Sequence, residues 1–138
     1  MNELMTQICS MNQQLLNEFG AGNAAALVSS YYDEDASLVT PDGNVLNGLT
    51  SITNFFGVLV QNSQNRIDVR PLFDSEPAQP GANPVAGASG DLVCVLGEYV
   101  FALGQEVETL PLANAAGRRV VVFRRHANGL KAVIDIFG

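Results

Sequence analysis

Long apolar runs are missing from this sequence: no stretch approaches the roughly 18 residues of a membrane-spanning helix. Basic clusters are missing too. Seven lysines and arginines stand against fourteen acids, a net charge of −7, and only positions 118–119 and 124–125 put two arginines side by side. That balance speaks against nucleic acid or an anionic membrane as a partner. The opening MNELMTQICSMNQQLL has no basic start and no unbroken apolar run, so it does not read as a signal peptide, and the expected location is the cytoplasm. Histidine occurs once, which rules out His/Cys metal clusters by counting, and no cofactor is expected. The two cysteines, Cys9 and Cys94, lie far apart and read as buried free thiols.

What is present is apolar and of one-domain length. The 138 residues are 47% hydrophobic and 15% charged, so residues 1–138 read as a single globular unit. Leu4, Ile8, Met11, Leu15 and Phe19 recur at steps of three and four, the stripe of a first helix. GAGN ends it, and Asn23 can cap a short second helix through AAALVSSYY. ASLVT reads as a strand and PDGN as a turn. Thr50 or Ser51 can cap a third helix, with Ile52, Phe55, Phe56 and Leu59 on one face.

Beyond Asn65 the period becomes two. RIDVRPLF predicts a strand with one wet face. Residues 74–90, rich in Pro, Gly and Ala, predict a flexible loop insertion. DLVCVLGEYVFAL (91–103) is apolar on both faces, so one side needs a cover other than the domain's own helices; a homodimer is the expectation. RRVVVFRRH and KAVIDIF flank ANGL, a hairpin signal with Asn128 and Gly129 as turn residues. Three helices precede most of a curved antiparallel sheet, an α+β layout with helices on one face.

The run LNEFGAGNAAALVSSYYDEDASLVTPDG, followed by GRRVVVFRRHANGLKAVIDIF, resembles the nuclear transport factor 2-like superfamily, in its SnoaL-like and ketosteroid isomerase-like branch of small bacterial proteins. The resemblance covers nearly the whole chain outside 74–90. It implies a cone-shaped, cystatin-like fold, in which a bent sheet wraps around the helices and encloses a pocket. It does not imply one activity: relatives include isomerases, cyclases, dehydratases and epoxide hydrolases.

Ketosteroid isomerases need one group to take a proton and two neutral donors to hold the enolate. Alignment puts Thr40 at the base position, Leu15 at the tyrosine and Val121 at the second acid, so that reaction is rejected. Limonene-type epoxide hydrolases carry an Arg-x-Asp pair on a central strand. Here RID (66–68) falls one strand early, and the matching strand reads GEY (97–99).

Two charged residues fall on faces that, by the resemblance, would line the pocket. Glu98 shares its face with Leu92, Cys94, Leu96 and Val100, where desolvation would suit it to act as a general acid or base; it reads equally as an ion pair or a dimer contact. Arg125 follows Val121 and Phe123 toward the hairpin end, orienting a ligand oxygen or simply solvated. Counting from the turn puts Ile134 on that same face, and His126 and Asp135 on the other, with Arg124 as the expected partner of Asp135. The resemblance matches Tyr32 to a pocket floor, and Phe56 reads as wall or core. DED (33–35) reads as a solvated helix end. The expected ligand, a small hydrophobic molecule, would therefore meet Leu15, Tyr32, Thr40, Phe56, Val121, Phe123, Arg125 and Ile134. The enzymatic reading is proton transfer (isomerisation, cyclisation or dehydration); the alternative is a non-catalytic ligand-binding or dimeric association domain.

Overall fold

The computed structural model describes residues 3–62, 64–72, 92–102 and 115–138. The predicted loop 74–90 lies outside them. The elements run α1 (Glu3–Gly20), α2 (Ala24–Tyr31), β1 (Tyr32–Val39), β2 (Val45–Asn47), α3 (Gly48–Val60), β3 (Arg66–Pro71), β4 (Leu92–Ala102), β5 (Ala115–His126) and β6 (Gly129–Phe137). The six strands form one curved, unclosed sheet in the order β2-β1-β6-β5-β4-β3.

The α+β class and the helices stand as predicted. Met5, Ile8, Leu15 and Phe19 bury one stripe of α1, but so does Asn12, which shares their spacing. Asn23 caps α2, its side chain accepting from the Ala26 amide at 3.2 Å. Helix α3 begins before Thr50 and Ser51. Its N-cap is Asn47, whose side chain accepts instead from the Ser37 hydroxyl at 2.7 Å.

The sheet is mixed rather than purely antiparallel. β1 leaves α2 without a loop and runs parallel to β6, about a hundred residues later, while every other neighbouring pair is antiparallel. A connection that long leaves strand direction free, whereas the short turns set it. DED is likewise not a helix end, because β1 already begins at Tyr32.

One face of the sheet packs on the helices. Tyr32 meets Phe56 (ring centroids 6.1 Å apart), Tyr31 meets Phe123 (5.8 Å), and Phe101 meets both Phe55 (6.4 Å) and Phe137 (5.2 Å). Offset and edge-on contacts of this kind add roughly 0.5–1.5 kcal/mol each beyond the area they bury. In β4 the inward residues are Val93, Val95, Tyr99 and Phe101; Leu92, Cys94, Leu96, Glu98 and Val100 point the other way.

The β5–β6 hairpin holds the main surprise. Its turn is Ala127–Asn128, one residue earlier than the Asn-Gly pair predicts, with Gly129 at φ 140°. Near the turn, Phe123 pairs with Ala132 and both face inward. Then the register slips: Val122 pairs with Ile134, and Val133 is the extra residue of a β-bulge. Because side chains alternate with period two, one added residue exchanges the faces of everything beyond it. Asp135 and Phe137 therefore point into the core, and Ile134 and Ile136 point out.

Candidate functional site

Five buried polar side chains in the helix-covered layer form one connected chain. Arg119 lies on β5, on the same inward face as Val121 and Phe123. Its Nε and Nη2 each donate to Asp135 at 2.8 Å, and Nη2 also donates to the Tyr31 hydroxyl at 3.0 Å. Tyr32 donates to Asp135 at 2.6 Å, and Tyr31 donates to Asn12 Oδ1 at 2.8 Å. All five residues are buried; Arg119 is 3% exposed and Asp135 0%. The guanidinium also lies over the rings of Tyr31 (5.4 Å) and Phe137 (5.2 Å). A forked pair satisfies the planar donor geometry of Arg, which is how a charge can stand in such a core.

Burial pushes the Tyr31 hydroxyl up to about 12, against a smaller lowering by Arg119. Burial also raises Tyr32 well above the usual tyrosine range, reinforced by the Asp135 charge. Burial alone would lower Arg119, but the Asp135 charge overrides it and raises its pKa. At neutral pH both tyrosines are therefore protonated donors.

The space beside this chain is small. A cavity of about 10 Å³ is lined by Asn12, Tyr31, Arg119, Val121 and Phe123, and reaches Arg70, Pro71 and Gly97 at the rim of β3 and β4. That is room for about one water-sized atom. A wide apolar pocket is not what these side chains leave between them.

Of the residues predicted to meet a ligand, Leu15, Tyr32, Phe56, Val121 and Phe123 come together in the core. Thr40 is buried in a turn, where its hydroxyl bonds Asp42 and accepts from the Asn44 amide at 3.1 Å; it belongs to the turn rather than to a pocket lip. Arg125 is exposed at the hairpin end. Ile134 is 40% exposed on the outer face, because the bulge reverses it. Glu98 also points outward, half-exposed, and pairs with Arg70 at 3.0 Å. Its expected face was the wrong one of two apolar faces. Asp135 pairs with Arg119, while Arg124 reaches Asp33 (3.0 Å) and Asp35 (3.1 Å) on β1. Cys94 is exposed, and both cysteines are free. Among the described residues, no group of His, Cys, Asp and Glu could hold a metal ion, and no helix is long and apolar enough to cross a membrane.

Three of the five network residues were not among the candidates: Asn12, Tyr31 and Arg119. Asn12 was detectable as the one polar member of the 5-8-12-15-19 stripe, and Arg119 by its alternation with Val121 and Phe123. Asp135 was weighed but set on the wrong face, which only the bulge could correct.

The outer face of the sheet is of the opposite character. One row crosses five strands: Val45 on β2, Val39 on β1, Ile136 on β6, Val120 on β5 and Leu96 on β4, each opposite the next in the register. Val45, Leu96 and Ile136 are 59%, 43% and 38% exposed. Beside it run Cys94, Val122 and Ile134.

This order of helices around a bent mixed sheet is found in many solved structures. A cystatin-like-fold domain of unknown function from Nostoc punctiforme matches with a TM-score of 0.69 and 15% identity, over 99% of this chain and 76% of that one. The chain has the nuclear transport factor 2-like fold. A candidate aromatic ring hydroxylase from Novosphingobium aromaticivorans matches at 0.69 and 18% identity, over 97% of this chain and 87% of that one. A candidate dehydratase of the nuclear transport factor 2-like family from Streptomyces avermitilis matches at 0.64 and 18%, over 96% and 92%. No protein-family model matches the sequence, and no curated protein matches it. The nuclear transport factor 2-like fold is thus shared with proteins of quite different descriptions, and function has to be argued from the side chains.

Proposed function

We propose that this chain is a non-catalytic association domain that pairs with a second copy of itself through the open face of its sheet. The observation that carries this is the uncharged row Val45–Val39–Ile136–Val120–Leu96 across five strands. Five strands at about 4.8 Å spacing span roughly 19 Å, and the Cys94 and Leu96 rows add about 13 Å in the other direction before Arg124, opposite Leu92, and Glu98, opposite Arg118, bound the strip. An apolar strip on the order of 250 Å² is the centre of such a face, and its charged rim extends it toward the roughly 800 Å² per partner of a stable interface. A second copy fits because an uncharged strip can oppose itself by a two-fold axis, while the rest of a chain of net charge −7 repels its like. Sedimentation equilibrium is the test. A dimer is expected for the native chain and a folded monomer for Leu96→Glu; a native monomer at 100 µM or higher, about typical of weak interfaces, would sink the reading.

A second reading is favoured by the buried Arg119–Asp135–Tyr31–Tyr32–Asn12 chain. In it, the inside of the fold receives a small, mainly hydrophobic molecule whose polar end reaches these groups. Proton transfer with Glu98 as acid or base has no support in the site, since Glu98 points away from the chain of polar groups.

A further inference from the structure

The last strand can pair with β5 in two ways. In the structure the pairs run from His126–Gly129 to Phe123–Ala132, Val133 is left over, and the ladder resumes with Val122–Ile134, Val121–Asp135 and Val120–Ile136. If Val133 entered the ladder instead, each later residue would slip by one position, so that Val121 would face Ile134 and Val120 would face Asp135. On the other side of β6, Leu38 and Val39 would meet Ile134 and Asp135, where they now meet Asp135 and Ile136. Inward positions would still meet inward ones on both neighbours, so the regular ladder is a complete alternative. Its inward residues would be Ile134 and Ile136 in place of Asp135 and Phe137. Apolar burial alone favours it: two isoleucines go in for one phenylalanine, which now packs on Tyr99 and Phe101, and the unpaired residue regains its ladder bonds. Charge opposes it. Arg119 faces inward in both registers, because β5 does not move. Only the bulged register brings Asp135 to it at 2.8 Å, with Tyr32 as a further donor to the same carboxylate. In the regular register the guanidinium, 3% exposed, would be left in the core without a counter-charge.

We infer that Arg119 is a positioning residue for the outer face of the sheet: by holding Asp135 inward it keeps β6 in the bulged register, and so keeps Ile134 and Ile136 on the surface that meets a second copy. The last step rests on the association reading above, while the choice of register does not. The Arg119 side chain lies on the opposite side of the sheet from that surface, so its effect passes through Asp135 and through the alternation of one strand. The bulge is then where the chain keeps the residue that this pairing leaves over. Ile134 and Ile136 are 40% and 38% exposed, and the reason for that exposure sits in the core behind them. In the regular register Asp135 would stand between Val39 and Val120, in the middle of the apolar row. Each copy of a dimer would bring that acid to the shared face, where like charges repel.

Arg119→Met separates the two registers. It leaves Asp135 bare in the core of the bulged form, whereas the regular form turns that acid to water, so the strand is expected to slip. Cross-strand NOEs read the register directly: the residue opposite Val120 should change from Ile136 in the native chain to Asp135 in the variant. Circular dichroism should show a folded protein, and sedimentation equilibrium a self-association weakened at least about tenfold. Combining Arg119→Met with Asp135→Leu removes the acid from either face and should restore association. An Arg119→Met protein that keeps Ile136 opposite Val120, or that does not fold at all, overturns the inference, because the regular register then gives Asp135 no refuge. A variant that slips and associates as strongly as the native chain overturns the link to association and upholds the register step. A native chain that is itself monomeric removes the association reading, and the NOEs decide the register all the same.

Discussion

Arg119 and Asp135 meet diagonally across β5 and β6 as a forked ion pair, both hydrogen bonds 2.8 Å long, in a layer otherwise made mostly of aliphatic and aromatic side chains. Removing one partner of such a pair leaves a bare charge in the core. Asp135→Asn, which keeps the shape, is therefore expected to destabilise the fold by about 3–5 kcal/mol. Adding Arg119→Met to it should recover part of that loss, because the uncompensated cation is gone. Urea unfolding of the single and double variants checks the order; a double variant less stable than Asp135→Asn would contradict it.

The tyrosines make a prediction at high pH. The chain has three, all buried, and burial raises the pKa of each above 10.0, Tyr31 to about 12. A group whose folded pKa is raised contributes stability that is whole below its unfolded pKa and is lost as pH rises through the folded one. Stability should thus be insensitive to the tyrosines below pH 10 and fall between 10 and 12. Tyrosinate absorbance should rise together with the loss of circular dichroism; a separate, earlier step near pH 10 would show a tyrosine in contact with water.

At the other end of the scale, Asp33 is the group to watch. Partial burial pushes it up, but hydrogen bonds from His126 (2.8 Å) and the Glu34 amide, with the His126 and Arg124 charges, bring it below 3.8. The sign is the reverse of the tyrosines: this contribution is present above 3.8 and fades as pH falls through the depressed folded value. Asp33→Asn should flatten the acid limb of a stability–pH curve below pH 4, about where an unfolded Asp titrates, and leave its alkaline limb alone. An unchanged acid limb would count against the Asp33–His126–Arg124 cluster.

Glu98→Gln is expected to do little. The carboxylate is 40% exposed and its partner Arg70 61%, and pairs of that kind contribute about 0–1 kcal/mol. Thermal melts should differ by no more than that corresponds to. A large loss would mean that Glu98 has a partner beyond this chain's described residues.

These outcomes show where sequence reading holds. The helices and the wet-faced strand β3 follow from periodicity alone, since 3.6 and 2 are set by the backbone. Leu15 and Phe56 entered the core on that basis, while Phe123 shared a face with Val121 by alternation and was turned inward by the family resemblance. Glu98 failed because β4 is apolar on both faces, so alternation cannot say which one the helices cover. Ile134 and Asp135 failed for a sharper reason: parity was counted from the turn through a strand that contains an extra residue. Tyr32 and Arg119 could each be set on an inward face, but their meeting through Asp135 could not be foreseen until that parity was known.

The bulge at Val133 also changes what kind of information the last strand carries. Its two halves are written in opposite phase, so the identity of a residue there says nothing about its side until the count of residues before it is known. Deleting Val133 would join the two halves into one unbroken alternation, in which Ala132, Asp135 and Phe137 keep their inward faces and Ile134 and Ile136 their outward ones, because the pairs Phe123–Ala132 and Val122–Ile134 already stand side by side in the partner strand. The extra residue thus sets the local bend of the hairpin rather than the sides its residues face, and a one-codon deletion there would straighten the strand without exchanging its interior for its exterior.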